Sequence, residues 1–107
     1  MIDQSDTHLE TNGSEVLLEA HRLVNVDRNL SYGHPADDYA TVRDIFEALT
    51  GVKLTVDQAI MYPLAMKLAR IRTNLDKGVL HRDSVIDGCG YLACLAMIHA
   101  RSVDPLK

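Results

Sequence analysis

Apolar positions recur along this chain at intervals of three and four, the period of a helix that buries one face. Residues 1–13 are polar and unperiodic and are expected to form a disordered leader. Val16, Ala20, Leu23 and Val24 then make one stripe. Ser14 can cap this first helix, and Glu15 suits the positive end of its dipole. The helix is expected to fray near Asp27-Arg28-Asn29. Ser31-Tyr32-Gly33-His34-Pro35 follows as a tight connector: Gly33 can take positive φ, and Pro35 fits the first position of a second helix. In that helix Tyr39, Val42, Ile45, Phe46 and Leu49 make the expected buried stripe, and Gly51 stops it.

Thr55 and Gln58 have the spacing of a capping box for a third helix. Its residues from Ala59 to Met66 are apolar almost all round, which predicts the central and most buried helix. Pro63 lies inside it. Because the apolar pattern continues through Leu64, Leu68 and Ile71, a kink is expected there and not a break. A loop over Asn74 to Leu80 leads to a fourth helix, from near Asp83 to about Arg101, where Asp104-Pro105 ends it. Gly88, Cys89, Gly90, Ala93, Cys94 and Ala96 on this helix would let another backbone, or a ligand, come close. Each glycine there costs about 1 kcal/mol relative to alanine, which calls for a packing or binding reason. The pattern therefore predicts an all-α, four-helix bundle-like single domain over residues 14–107.

Composition supports that reading. The chain's 107 residues leave room for one core, and its 47% hydrophobic content includes no Trp and one Phe. The core must be aliphatic, which suits helix packing. A net charge of -4 argues against general nucleic-acid binding, which needs a basic face. Cys89 and Cys94, five apart on one helix, lie on different faces and cannot pair with each other, so free thiols in a reducing compartment are expected. No apolar run reaches the length of a membrane span, and the first residues lack the regions of a signal peptide, so a cytoplasmic location is expected.

Candidate chemistry concentrates where the third helix ends and the fourth begins. Asp83 and Asp87 are four apart and share a helix face, where like charges repel unless a divalent cation or basic partners sit between them. Magnesium suits such a pair, since it takes few protein carboxylates and completes its shell with water and phosphate. The plain alternative is that Asp83 caps the helix and Asp87 complements its dipole. Lys67 and Arg70, three apart, are either helix-end cations or a phosphate clamp. If the two helices are antiparallel, these cations lie opposite Asp83 and Asp87. His81, His34, Tyr32 and Tyr91 could surround the same cleft, although His34 could equally cap the second helix. Scattered histidines argue against zinc, and there is no glycine-rich phosphate loop or nucleophile elbow. Asp44 and Glu47 fit a solvated face.

The ordered string Glu19-Ala20-His21-Arg22-Leu23-Val24, Asp27-Arg28, Tyr32-Gly33-His34-Pro35, Asp38-Tyr39, Lys67-Leu68-Ala69-Arg70, His81-Arg82-Asp83-Ser84 and Asp87-x-x-Gly90-Tyr91 resembles a small family found mainly in phages and prophages. The resemblance covers roughly Ser14 to Ala100. That family is similar in turn to the all-α, MazG-like nucleoside triphosphate pyrophosphohydrolases and to phage nucleotide-modification-associated domains. MazG-like enzymes hold magnesium with an E-x-x-E on one helix and an E-x-x-D on the next. This chain has Asp83-x-x-x-Asp87 in place of the second motif and lacks the first, so Asp38, or the Asp44/Glu47 pair, would have to supply ligands.

The resemblance implies a magnesium-dependent (deoxy)nucleoside triphosphate pyrophosphohydrolase working in the cytoplasm of a bacterial host. In that reading Asp83 and Asp87 hold Mg2+ with Asp38 assisting. Lys67 and Arg70 neutralise phosphates, and His81, Tyr32, His34 or Tyr91 position base, sugar or water. A non-catalytic nucleotide-binding module is the first alternative, and a structural helical protein that binds a host protein is the second. In each case a homo-oligomer is expected, because the third helix and the small-residue face of the fourth offer more contact surface than one unit can cover.

Overall fold

The computed structural model describes residues 13–102; Gly13, the last residue of the expected leader, is already helical, while the rest of that leader and the Asp104-Pro105 stop lie outside the described residues. All the elements among the described residues are helical. α1 (Gly13–Arg22) does not fray at its end. It passes without interruption into a π-helical segment (Leu23–Arg28) and a last α turn (Asn29–Tyr32). The departure from the expected fraying has a physical cause. Arg28 is pinned by an ion pair with Asp38 and lies 5.3 Å over the ring of Tyr32 and 5.0 Å over that of Tyr39. Contacts ten or eleven residues away hold a segment whose local sequence reads as a helix end.

Gly33, at φ 75°, turns the chain, and α2 (Pro35–Thr50) begins at once. His34 is its cap: the ring Nδ1 accepts from the Ala36 amide at 3.0 Å. Gly51, at φ 76°, closes the helix by donating to the Glu47 carbonyl at 2.8 Å. α3 (Val56–Leu75) opens with the expected capping box. Thr55 Oγ1 accepts from the Gln58 amide at 3.1 Å, while Gln58 Oε1 accepts from the Thr55 amide at 3.0 Å. The helix runs through Pro63 unbroken. A short turn with Gly78 at φ 78° leads into α4 (Arg82–Ser102), making an α3–α4 hairpin.

The centre of the fold is α4, not α3. α4 packs against α3, α2, α1 and the π segment. Its Ser84, Ile86, Gly88, Gly90, Cys94 and Ile98 are all buried. One core cluster joins Cys94 and Ile98 to Val24, Tyr39, Ala59 and Ile60; a second joins Ile86 to Val16 and Ala20. α3 buries only Ala59 and Ile60, and its Met61, Tyr62, Met66 and Leu68 are exposed. The stripe expected on α2 is likewise corrected: Tyr39 is buried, but Val42, Ile45 and Leu49 are exposed. The reason is shape. The radius of gyration is 16.7 Å, against about 13 Å for a compact chain of this size, so parts of the long helices have no neighbour in the monomer. Helical period reports that a face is apolar; it does not report whether the single chain covers it.

Candidate functional site

Two adjoining cavities run along the seam between helix one and α4, sharing Leu23, Ile86 and Asp87. The larger, about 330 Å³, is walled by Leu23, Val24 and Arg28 of the π segment and by Ser31 and Tyr32 of the last turn. From α4 it receives Ile86, Asp87, Gly90, Tyr91 and Cys94. Its volume falls at the small end of the range for small-molecule sites. The smaller, about 210 Å³, is lined by Glu19, Leu23, Asp83, Ile86 and Asp87 and is acidic. Gly90 lies in the wall of the larger cavity, where a methyl would stand 3.4 Å from Val24 Cγ2, at the near limit of ordinary contact. Gly88 has no such constraint: a methyl there would meet only Leu64 Cδ1, at 3.9 Å.

Charge in this groove is organised as pairs. Lys67 Nζ reaches Asp87 Oδ2 at 2.9 Å across the α3–α4 hairpin, and both side chains are partly buried. Arg82 Nη1 reaches Glu19 Oε1 at 3.0 Å and ties the start of α4 to helix one. Arg28 Nη2 pairs with Asp38 Oδ2, and the Arg28 side chain is only 17% exposed. Burial opposes the Arg28 charge, yet its interactions with Tyr39, Cys94 and Asp38 together raise its pKa. Burial pushes the Tyr39 hydroxyl up to about 12 against the opposing pull of Arg28, and pushes the Cys94 thiol up as well. Near neutral pH, therefore, a cationic guanidinium sits among a neutral phenol and a neutral thiol. A thiol held protonated in this way is a poor nucleophile.

The structure brings some of the sequence-derived candidates together and separates others. Asp87, Tyr32 and Tyr91 line the larger cavity, Asp83 and Asp87 line the smaller, and Lys67 stands beside both through Asp87. The expected opposition of α3 cations and α4 carboxylates is realised at Lys67 and Asp87. Arg70 is exposed, lines neither cavity and forms no ion pair among the described residues. Asp38 faces Arg28 and is absent from both linings. His34 serves as the α2 cap and lies 3.5 Å from Arg101 Nη1, which pairs with Asp37 at 2.9 Å. His81 precedes α4, where its Nδ1 lies 2.6 Å from the fully buried Ser84 Oγ. Asp44 pairs locally with Arg43 at 3.0 Å on an exposed surface.

The sequence reading missed Arg28 and Glu19 as groove residues. A signal for Arg28 was present: Arg28, Tyr32, Asp38 and Tyr39 flank one tight turn, and an Arg with two rings and a carboxylate across a turn is a cage. As for a metal, no three His, Cys, Asp or Glu side chains converge as ligands among the described residues. Glu19 and Asp87 each already hold a cation. The donors fit magnesium only as one or two carboxylates, Asp83 and Asp87, with phosphate and water oxygens filling the rest of the shell.

These features define a small all-helical domain whose π-distorted first helix and central fourth helix enclose a groove with an arginine–tyrosine end and an acidic end. The chain belongs to a family described as a domain of unknown function, DUF6378, which it matches over residues 15–99. It is 31% identical over 90 residues to the Gene 55 protein of Mycobacterium phage D29, an alignment covering 83% of this chain and 56% of that protein. The chain thus spans little more than half the length of this relative. No solved structure matches. Among the described residues, no helix is long and apolar enough to cross a membrane.

Proposed function

We propose that this phage-type domain binds a nucleotide in the groove between helix one and α4. One observation supports this above the others: a single cavity of about 330 Å³ gathers a guanidinium, two tyrosines and a carboxylate, and opens beside an acidic pocket. Aromatic rings suit a base, a fixed guanidinium suits phosphate oxygens, and carboxylates suit a phosphate-bound cation.

The reaction that fits such a site is magnesium-dependent release of pyrophosphate from a (deoxy)nucleoside triphosphate, in line with the MazG-like resemblance. Asp83 and Asp87, side by side in the acidic pocket, favour it. In that role the two carboxylates would hold the metal, which supplies charge neutralisation at the phosphates. Lys67, released from Asp87, would meet a phosphate oxygen, and Tyr32 or Tyr91 would flank the base. A binding-only module is the second reading, favoured by the ion pairs that already occupy Asp87, Glu19 and Asp38.

Thermal shift and calorimetry with a panel of nucleoside mono-, di- and triphosphates, with and without Mg2+ or Mn2+, test the site; recovery of the ligand and a pyrophosphate assay test the reaction. Stabilisation by a nucleotide is expected. If no nucleotide stabilises the protein at millimolar concentration, the reading is wrong. Pyrophosphate release that disappears in Asp87→Asn separates the enzyme from the binding module.

A homo-oligomer belongs to the same proposal. The exposed Met61, Tyr62, Met66 and Leu68 of α3 leave an apolar surface that the monomer does not cover. Light scattering that returns the monomer mass would remove it.

A further inference from the structure

Among the described side chains, Arg28 is the charged one that the rare backbone of helix one delivers into the groove. Three of the six π-helical residues, Leu23, Val24 and Arg28, line the larger cavity. π segments are rare, short, and frequent at functional sites. The guanidinium is held by Asp38 through Nη2, lies over the rings of Tyr32 and Tyr39, and interacts with the Cys94 thiol. A guanidinium carries five N–H donors, and its buried Nε has no hydrogen-bond partner among the described residues. What faces a ligand is the part of the fork that lines the larger cavity, beside Tyr32 and Tyr91. Asp87, which also lines this cavity, is paired with Lys67, so the charge facing an entering anion is partly offset.

We propose that Arg28, rather than Arg70, binds the anionic group of the ligand, a phosphate, and that Asp38 is its positioning residue rather than a metal ligand. This deepens the nucleotide reading and rests on it for what the phosphate is attached to. Contact with two rings and an ion pair fixes the fork before the ligand arrives, so little side-chain freedom is lost on binding. Partial burial strengthens each charge-assisted hydrogen bond it makes.

The test uses the full chain and three probes: inorganic pyrophosphate, a nucleoside triphosphate and the matching nucleoside, each titrated by calorimetry. Arg28→Lys keeps the charge and loses the fork, so it is expected to weaken pyrophosphate and triphosphate binding about tenfold or more while leaving nucleoside binding unchanged. Asp38→Asn is expected to weaken the same two probes, with Asp38→Glu restoring part of the affinity; Arg70→Met is expected to change nothing. Arg28→Met would abolish binding; if that variant does not fold, Arg28→Lys decides alone. Triphosphate binding that Arg28→Lys leaves intact overturns the Arg28 assignment while the nucleotide reading survives. Arg28-dependent binding of pyrophosphate, with no gain from the attached nucleoside, supports the assignment and ends the nucleotide reading. Absence of binding by any probe overturns both.

Discussion

The two buried glycines of α4 offer a test in which neighbouring substitutions should behave differently. Replacing Gly88 by alanine removes the conformational freedom of glycine in a helix interior, a gain of about 0.8–1.0 kcal/mol. The new methyl would meet Leu64 Cδ1 at 3.9 Å, ordinary van der Waals contact, so nothing in the packing opposes that gain. For a domain of this size the expected rise in Tm is about 4–8 °C. Gly90→Ala has the same helical gain, but its methyl would stand 3.4 Å from Val24 Cγ2 and in the wall of the larger cavity. Its stability change should therefore be smaller, and any ligand of the groove should bind it more weakly than it binds Gly88→Ala. Thermal unfolding by circular dichroism, followed by nucleotide titration of both variants, measures the contrast. A fall in Tm for Gly88→Ala would refute the reasoning, because it would mean that α3 and α4 approach more closely at Gly88 than described. Equal ligand affinities for the two variants would refute the claim that a methyl at Gly90 narrows the groove.

Two further outcomes are expected. A double-mutant cycle with Lys67→Met and Asp87→Asn, read by urea denaturation, should give a coupling energy of about 1 kcal/mol, between the values for exposed and buried pairs; additive effects would mean that the hairpin pair does not form in solution. The raised pKa of Tyr39 implies stability that is fully present below the unfolded-state pKa near 10 and is lost as pH rises towards about 12, because only the folded state resists deprotonation in that window. The Tm of the wild type should thus fall relative to that of Tyr39→Phe between pH 10 and 12, and a constant difference would show that the ring is not held as described.

How much of this was legible beforehand depended on the reach of the interactions. Four helices, the Thr55–Gln58 box, the Gly33-His34-Pro35 connector and the Gly51 stop follow from groups within about four residues of one another, and they stand as expected. The helix-three and helix-four charges also met at Lys67 and Asp87, because a short turn leaves a hairpin little choice of partner. Arg70 did not join them. It sits one helical turn further along α3, on an exposed face, and spacing alone could not say which cation of the pair faces α4.

The local pattern of residues was enough to determine the helices of the described residues, their turns and caps, and the meeting of a helix-three cation with a helix-four carboxylate. Tertiary structure alone decided three things. It made α4 rather than α3 the central helix, since an apolar face is buried only where another element reaches it. It carried helix one through Asp27-Arg28-Asn29 as a π segment, since Asp38 and two rings hold Arg28 from across the turn. It also set Arg28, and not Arg70, in the wall of the larger cavity, since a side chain belongs to a groove through its neighbours in space, and those of Arg28 lie on three different helices.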